Sequence, residues 1–167
     1  EAPVARVYRT APPAPQKQTP AAAVAKSAGC LTCHAGTDAP TMHQSPAVIL
    51  GCTDCHGGDA TVEWQGLSRD LGYALARDRA HVLPRFPQAW RFPSSANPER
   101  SYALLNRESP EFTRFVNPGD LRVARETCGA CHLAIVQAAE RSLMATTAMF
   151  WGGAAYNNGI LPTKRYI

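Results

Sequence analysis

The feature that decides the fold of this chain is a five-residue pattern, Cys-x-x-Cys-His, which occurs three times. The copies are Cys30-Leu31-Thr32-Cys33-His34, Cys52-Thr53-Asp54-Cys55-His56 and Cys128-Gly129-Ala130-Cys131-His132. Together they contain all 6 cysteines of the chain. The pattern is the attachment signature of c-type haem, so the sequence predicts three covalently bound haem c groups.

The spacing within the pattern has a chemical reason. Two thiols three positions apart lie on one helical turn, where each can form a thioether with a haem vinyl group. The histidine, four positions after the first cysteine, projects from the same face and can bind the iron as its proximal ligand. The predicted thioether residues are Cys30, Cys33, Cys52, Cys55, Cys128 and Cys131, and the predicted proximal ligands are His34, His56 and His132.

Zinc is the main alternative for these cysteines. Eighteen residues separate Cys33 from Cys52, which is within the range for two Cys-x-x-Cys pairs of a four-cysteine zinc ribbon. However, a histidine follows every pair, which zinc does not need, and the third pair has no second pair to complete a tetrahedral site. Dithiol redox chemistry is disfavoured as well, because none of the pairs opens a βαβ pattern.

Two further histidines, His43 and His81, are the leading candidates for distal iron ligands. Three irons with two axial ligands each would need one more histidine than the 5 that are present. His81 could serve the first or the third haem, and the sequence does not choose between them. The isolated monomer is therefore expected to contain one high-spin haem.

Three sources could complete the remaining iron. In order of preference they are a histidine from another chain or a missing part of this one, a donor of this chain such as Met42 or a lysine, and no ligand at all. Met144 and Met149 are less suitable. If residues 133–149 form one helix, Met144 lies ~18 Å along the axis from His132 and cannot bind the same iron.

The length of 167 residues allows one domain with a tail. Residues 1–29, rich in proline and alanine, are expected to be an extended arm or tether, and residues 30–167 to form a trihaem domain. Large aliphatic residues are sparse, so porphyrin surface would supply much of the core. The predicted fold class is mainly α with extensive irregular loops, organised by haem, with little or no sheet.

Several helix starts can be read from capping residues. Ser68 is expected to begin a helix toward Arg79, and Asp120 to cap a helix leading into the third motif. Each of Asn97-Pro98-Glu99 and Ser109-Pro110-Glu111 offers a cap residue, a proline and an acid in helix order. A longer helix is expected after His132, ending at Gly152-Gly153.

The charge pattern and the ends of the chain bear on its partners and location. The formal charge is +4, but lysine and arginine are scattered, which argues against nucleic-acid binding. The longest apolar stretch, residues 143–155, is shorter than the ~20 residues of a membrane-spanning helix. The chain begins Glu1-Ala2-Pro3, which suggests a secreted protein whose signal peptide has been removed.

Sequence around the second motif resembles large multihaem c-type cytochromes of metal-reducing and related respiratory bacteria. The similar stretches are Met42-His43, residues 50–58, residues 115–121 and residues 151–158. This resemblance implies a periplasmic or extracellular location, and it implies that His43 binds the haem of Cys52 and Cys55. Because those relatives continue into further haem motifs, this chain resembles their amino-terminal part, or a small subunit completed by partners.

Electron transfer is the function that these observations predict, either as a carrier or as a subunit of a larger extracytoplasmic conduit. The expected partners are redox proteins, such as other cytochrome subunits or further copies of this chain. An enzyme is not expected. The alternative is a haem enzyme with one open iron that reduces a small nitrogen or sulfur species, for which Arg122, Arg125 and Tyr156 are scattered candidates.

Overall fold

The computed structural model describes residues 2–36, 43, 45–66, 71–90, 106–146, 153–155 and 157–160. The described residues are mainly helical, and they contain no sheet. The helices are α1 (Pro20–Ala25), α2 (Ala28–His34), α3 (Cys52–His56), α4 (Leu71–Ala80), α5 (Pro110–Val116), α6 (Ala124–Glu140) and α7 (Leu143–Thr146). The predicted mainly α class is confirmed. No helix in this described part is long and apolar enough to cross a membrane.

Each Cys-x-x-Cys-His motif lies on a helix, as its spacing requires. The first motif ends α2, the second forms the whole of α3, and the third lies inside α6. We call α2, α3 and α6 the motif helices. Helix α3 packs against both α5 and α6, so the second motif has neighbours on both of these helices.

The first and second motifs are held together where their helices begin. The backbone N–H of Cys52 donates to Ser27 Oγ at 2.9 Å, and that of Thr53 donates to the carbonyl of Lys26 at 3.1 Å. Gly51 makes this close approach possible, because a Cβ atom there would lie 2.5 Å from the carbonyl oxygen of Ala23. Steric constraints therefore explain why the residue before the second motif is glycine.

Helix α6 bends sharply at His132, whose φ of −119° and ψ of 26° are not helical. In a straight helix Arg125 and Glu140 would be ~22 Å apart along the axis. Instead the Nε atom of Arg125 donates to Glu140 at 2.7 Å. The second half of α6 therefore folds back toward the first half, and His132 lies at the bend.

The other helix predictions have mixed outcomes. Ser109 caps α5 as expected, its Oγ accepting from the N–H of Phe112 at 3.1 Å, and a helix runs through residues 71–80. Asp120 does not cap α6, because its carboxylate accepts from Arg122 within the preceding turn. Ser68 and Asn97-Pro98-Glu99 lie outside the described residues.

The single long helix expected after His132 is wrong. Helix α6 ends at Glu140, and α7 begins three positions later at Leu143. Ser142 supplies the reason, because its Oγ accepts from the N–H of Ala145 at 3.3 Å and so starts a new helix. Residues 153–155 are also helical, so Gly153 does not end a helix.

The packed apolar core of the described residues is small. It consists of Phe86, Ala89, Trp90 and Phe112, which we call the Phe112 cluster. The carboxylate of Glu108, only 8% exposed, accepts from the backbone N–H groups of Arg85 and Phe86 and from Trp90 Nε1. Three donors therefore compensate the burial of this charge next to the cluster.

The proline-rich amino terminus lies along its own chain. Val4 N–H donates to the carbonyl of Arg85 at 2.7 Å, Tyr8 to that of Leu83 at 3.0 Å, and Ala14 N–H to that of Glu126 at 2.7 Å. Residues 2–18 have no helix or strand, whereas Thr19 caps the short helix α1. The first part of the predicted arm thus has no regular secondary structure, and it contacts the body of the molecule.

Candidate functional site

The first pair of histidines is His34 and His81. Their ring centroids are 6.2 Å apart, and the ring planes differ by 29°. His34 is the last residue of α2, and His81 directly follows α4, where its N–H donates to the carbonyl of Arg77 at 2.9 Å. Residues 47 positions apart in sequence are thus brought together by the ends of two helices.

Burial has a marked electrostatic effect on His81. Its Nδ1 atom is buried and has no hydrogen-bond partner among the described residues. Burial, with a smaller contribution from His34, lowers the pKa of His81 to about 4. The ring is therefore neutral at neutral pH, which is the form that binds a metal.

The second pair is His43 and His132. Their ring centroids are 6.3 Å apart, and their planes are within 11° of parallel. The bend in α6 places His132 at this position, and His43 lies on the segment that follows α2. The family resemblance assigned His43 to the haem of the second motif, whereas its ring lies next to that of His132 in the third motif. Which iron His43 binds stays a prediction.

The two ring separations have a simple geometric meaning. Metal–imidazole bonds are ~2.0 Å long and the bonding nitrogen lies ~1.1 Å from the ring centre. Two imidazoles on opposite sides of one metal ion therefore have centres ~6.2 Å apart. Rings in direct aromatic contact can share this separation, so the distance alone does not identify a metal. Two such pairs, each containing a motif histidine, fit the spacing of a bis-histidine site.

His56 of the second motif has a different environment. Its Nδ1 atom is 2.7 Å from the carbonyl oxygen of Phe115. Because a carbonyl can only accept, Nδ1 carries the proton, and the lone pair of the neutral ring lies on Nε2. A hydrogen bond of this kind orients a metal-binding imidazole and fixes its tautomer. All 5 histidines are described, and the other four pair with each other, so His56 has no second imidazole.

Phe115 also contacts the first pair. Its ring centroid is 4.9 Å from that of His81 and 6.4 Å from that of His56. Phe115 therefore touches His81 with its side chain and holds His56 with its backbone. Phe115 thus connects the first histidine pair to the second motif.

The cysteines of successive motifs lie near one another. A hydrogen bond from Cys30 lowers the pKa of the Cys52 thiol to about 5, and the same contact, together with burial, raises that of Cys30. Burial, and then the nearby thiol of Cys128, raises the pKa of Cys55. The second motif therefore lies between the first and the third, with a thiol close to each.

All 6 cysteines are described, and they form no disulfide bond with one another. Among the described residues, no group of three or more Cys, His, Asp or Glu side chains could hold a metal ion. The arrangement that a zinc ribbon from the first two motifs would need is thus not formed. Cys30 and Cys52 meet, but their partners in each pair do not join them around one point.

Arg114 joins the second motif to the amino-terminal arm. It is 5% exposed, and its guanidinium donates to four backbone carbonyls, those of Cys55 and Asp54 in α3 and those of Ala11 and Pro12 in the arm. Burial lowers the pKa of Arg114. These bonds place a buried positive charge directly behind α3.

The carboxylate of Asp54 on α3 also joins the second motif to the amino-terminal arm. Asp54, 4% exposed, accepts from Gly51 N–H, from Gln18 Nε2 and from Lys26 Nζ. Burial alone would raise the pKa of Asp54, but these donors outweigh it and leave the pKa below its ordinary value. Asp54, inside the motif, therefore anchors α3 to the arm and to α1.

A cavity of about 260 Å³ adjoins His56. It is walled by five parts of the chain: the arm, the end of α3 with the turn after it, the segment after α4, α5, and the start of α6 with the turn before it. The charged side chains that line it are Arg9, Arg114, Arg122, Glu111 and Glu126. The Arg122 guanidinium is bonded to Asp120, and Glu111 accepts from Thr10, so much of this charge is already paired.

Sequence reasoning identified every cysteine and histidine of this site but missed Phe115 and Arg114. Phe115 acts on His56 through its carbonyl, which any residue could provide, so it left no signal. Arg114 was one of many scattered arginines, and its burial depends on contacts with Ala11, about a hundred positions away. Arg125 bonds Glu140, and Tyr156 lies outside the described residues, so neither is placed in the site.

Comparison of this chain with protein-family models, with curated proteins and with solved structures finds no match.

Proposed function

We propose that this chain binds three haem c groups through its Cys-x-x-Cys-His motifs and transfers electrons between them, outside the cytoplasm. The observation that carries the proposal is the pair of histidine separations, 6.2 Å for His34 with His81 and 6.3 Å for His43 with His132. Two unrelated parts of the chain supply an imidazole to a motif histidine at the distance that one metal ion between them requires.

The cysteines and histidines of this site fit the binding of haem c in three respects. The thiols of each motif lie on a helix, which is the arrangement that thioether attachment needs. The buried Nδ1 of His81 has no partner among the described residues, so this nitrogen remains available to a ligand. The bond from His56 to Phe115 leaves Nε2 free to bind iron. A zinc site is not supported by the thiol positions.

The proposed roles of the residues follow from these positions. Cys30, Cys33, Cys52, Cys55, Cys128 and Cys131 hold the groups covalently, His34, His56 and His132 are the proximal ligands, and His81 and His43 are distal ligands of the first and third irons. Haem iron supplies reversible one-electron oxidation and reduction. The hydrogen bond between the thiols of Cys30 and Cys52 and the interaction of Cys128 with Cys55 support an order in which the second centre lies between the other two.

The experiment is expression in a host with the c-type haem maturation system, followed by mass measurement and mediated redox titration. The proposal predicts a mass increase of three haem groups and reversible reduction of all three. A matched control replaces both cysteines of one motif with serine and should lose one group. A polypeptide that leaves the maturation system without covalent haem would contradict the proposal.

A second function is favoured by one observation, the lack of a second imidazole at His56. An iron held there could be reached by a substrate, so a reductase of small nitrogen or sulfur species is the alternative. Turnover of nitrite, hydroxylamine or sulfite by the loaded protein separates the two functions. Electron transfer alone predicts reversible reduction without turnover. In either case we propose redox proteins as partners, other cytochrome subunits or further copies of this chain among them.

A further inference from the structure

The second centre differs from the other two in what the chain provides for it. Both distal candidates are used elsewhere, because His81 faces His34 and His43 faces His132. Since the chain has 5 histidines and all are described, no imidazole remains for His56. The shortage of one ligand, which the sequence left unassigned, is thereby located at the second motif.

The surroundings of His56 bear on what kind of ligand can reach it. The residue is exposed, and it forms part of the wall of the cavity of about 260 Å³. That wall is built by this chain, and His56 is open to solvent beside it, so a small solute can reach this part of the molecule. Lys26, an intrachain donor that the sequence allowed, is already bonded to Asp54 and Gln18.

The charge near His56 is mixed in sign. The guanidinium of Arg114 is buried and bonds backbone carbonyls, and the carboxylates of Asp54 and Glu126 are close enough to interact with its charge. Arg9 and Arg122 line the cavity together with Glu111 and Glu126, and Arg122 is bonded to Asp120. The lining side chains therefore do not exclude a small anion or a neutral donor.

We propose that the iron held by His56 takes its sixth ligand from solution, and that this ligand is a small donor molecule of the size of carbon monoxide, cyanide or nitrite. The proposal rests on the proposed function, since it needs haem at the second motif. It makes the second centre a ligand-binding site between two centres that have both imidazoles.

The test uses the monomeric, fully loaded protein, with carbon monoxide as the probe of the reduced state and cyanide as the probe of the oxidised state. We expect one carbon monoxide per three haems. Cys52→Ser with Cys55→Ser should abolish this binding, whereas Cys128→Ser with Cys131→Ser should leave one carbon monoxide per two haems. His81→Ala, which opens the first iron, should double the wild-type amount and serves as the positive control.

Several results would overturn the proposal. No binding to the loaded monomer would show that another group of this chain completes the second iron. Loss of binding in Cys128→Ser with Cys131→Ser would place the open iron at the third motif. A spin state that changes with protein concentration would identify a histidine of a second copy as the ligand. If the cysteine variants fail to fold, a crystal structure with cyanide decides, since it shows which iron holds the ion. Failure of the proposed function would be recognised separately, because the mass of the protein would then show no covalently bound haem.

Discussion

The Phe112 cluster and the motif helices differ in what their apolar side chains contact. In the cluster, Phe112 and Ala89 have no exposed surface, and Trp90 is 4% exposed. On the motif helices, Leu31 is 46% exposed, Leu133 is 47% exposed and Ile135 is 66% exposed. One region thus buries its apolar residues against its own side chains, whereas the other presents them next to the cysteines and histidines of its motifs.

This difference shows how the molecule folds although its packed apolar core, the Phe112 cluster, is small. The cluster and the Glu108 carboxylate fix the segments around residues 82–90 and 108–116 by ordinary packing and hydrogen bonding. The motif helices are fixed by polar connections, from Asp54 and Arg114, and under our proposal by porphyrin as well. We therefore expect substitutions in the cluster to change stability, and substitutions around the motif helices to change either stability or the signals of the proposed haem centres.

The largest effect on stability is expected from Phe112→Ala. Its ring is fully buried against Trp90, with ring centroids 5.1 Å apart, so truncation leaves a cavity. The loaded protein should lose about 3–5 kcal/mol of unfolding free energy, measured in urea. The control is Leu75→Ala on α4, a residue that is 59% exposed. Equal effects of the two substitutions would show that the cluster is not the packed core.

The next effect is expected from Asp54→Asn. The amide would present N–H groups to donors that now bond the carboxylate, and it would leave Lys26 without its ion pair. Loss of about 2–3 kcal/mol is expected, again from urea unfolding of the loaded protein. Asp78→Asn is the matched control, because Asp78 is 43% exposed and its pair with Arg77 is on the surface. An unchanged stability would mean that α3 is held by haem alone.

A smaller and more selective effect is expected from Phe115→Leu. The substitution removes the ring that contacts His81 but keeps the backbone carbonyl that accepts from His56. The reduction potential and electron spin resonance signal of the first centre should change, and those of the second should be preserved. A change confined to the second centre would contradict the role assigned to this residue.

The smallest effect is expected from Glu140→Gln. This residue pairs with Arg125 at the surface, across the bend of α6. Exposed ion pairs contribute little to stability, so we expect no measurable change in the thermal midpoint. The spectrum of the third centre should stay the same too. A lost or altered third-centre signal would instead show that this ion pair maintains the bend at His132.

The sequence was informative where structure is local. The three motifs predicted helical turns at their own positions, and Ser109-Pro110-Glu111 predicted the start of α5, because capping depends on residues a few positions apart. The meeting of His43 with His132 could not be predicted, since it depends on the bend in α6 and on residues 89 positions apart. The role of Phe115 is carried by a backbone carbonyl, which has no sequence signature.

The measurement that tests the account most directly is electron spin resonance of the oxidised, loaded monomer, with His81→Ala and His43→Ala beside it. Ring planes 29° and 11° apart are close to parallel, so the first and third centres should give rhombic low-spin signals, while the second gives a separate high-spin signal. Each substitution should convert one low-spin signal to high spin. Three low-spin signals in the wild type, unchanged by either substitution, would contradict the assignment of His81 and His43 as iron ligands.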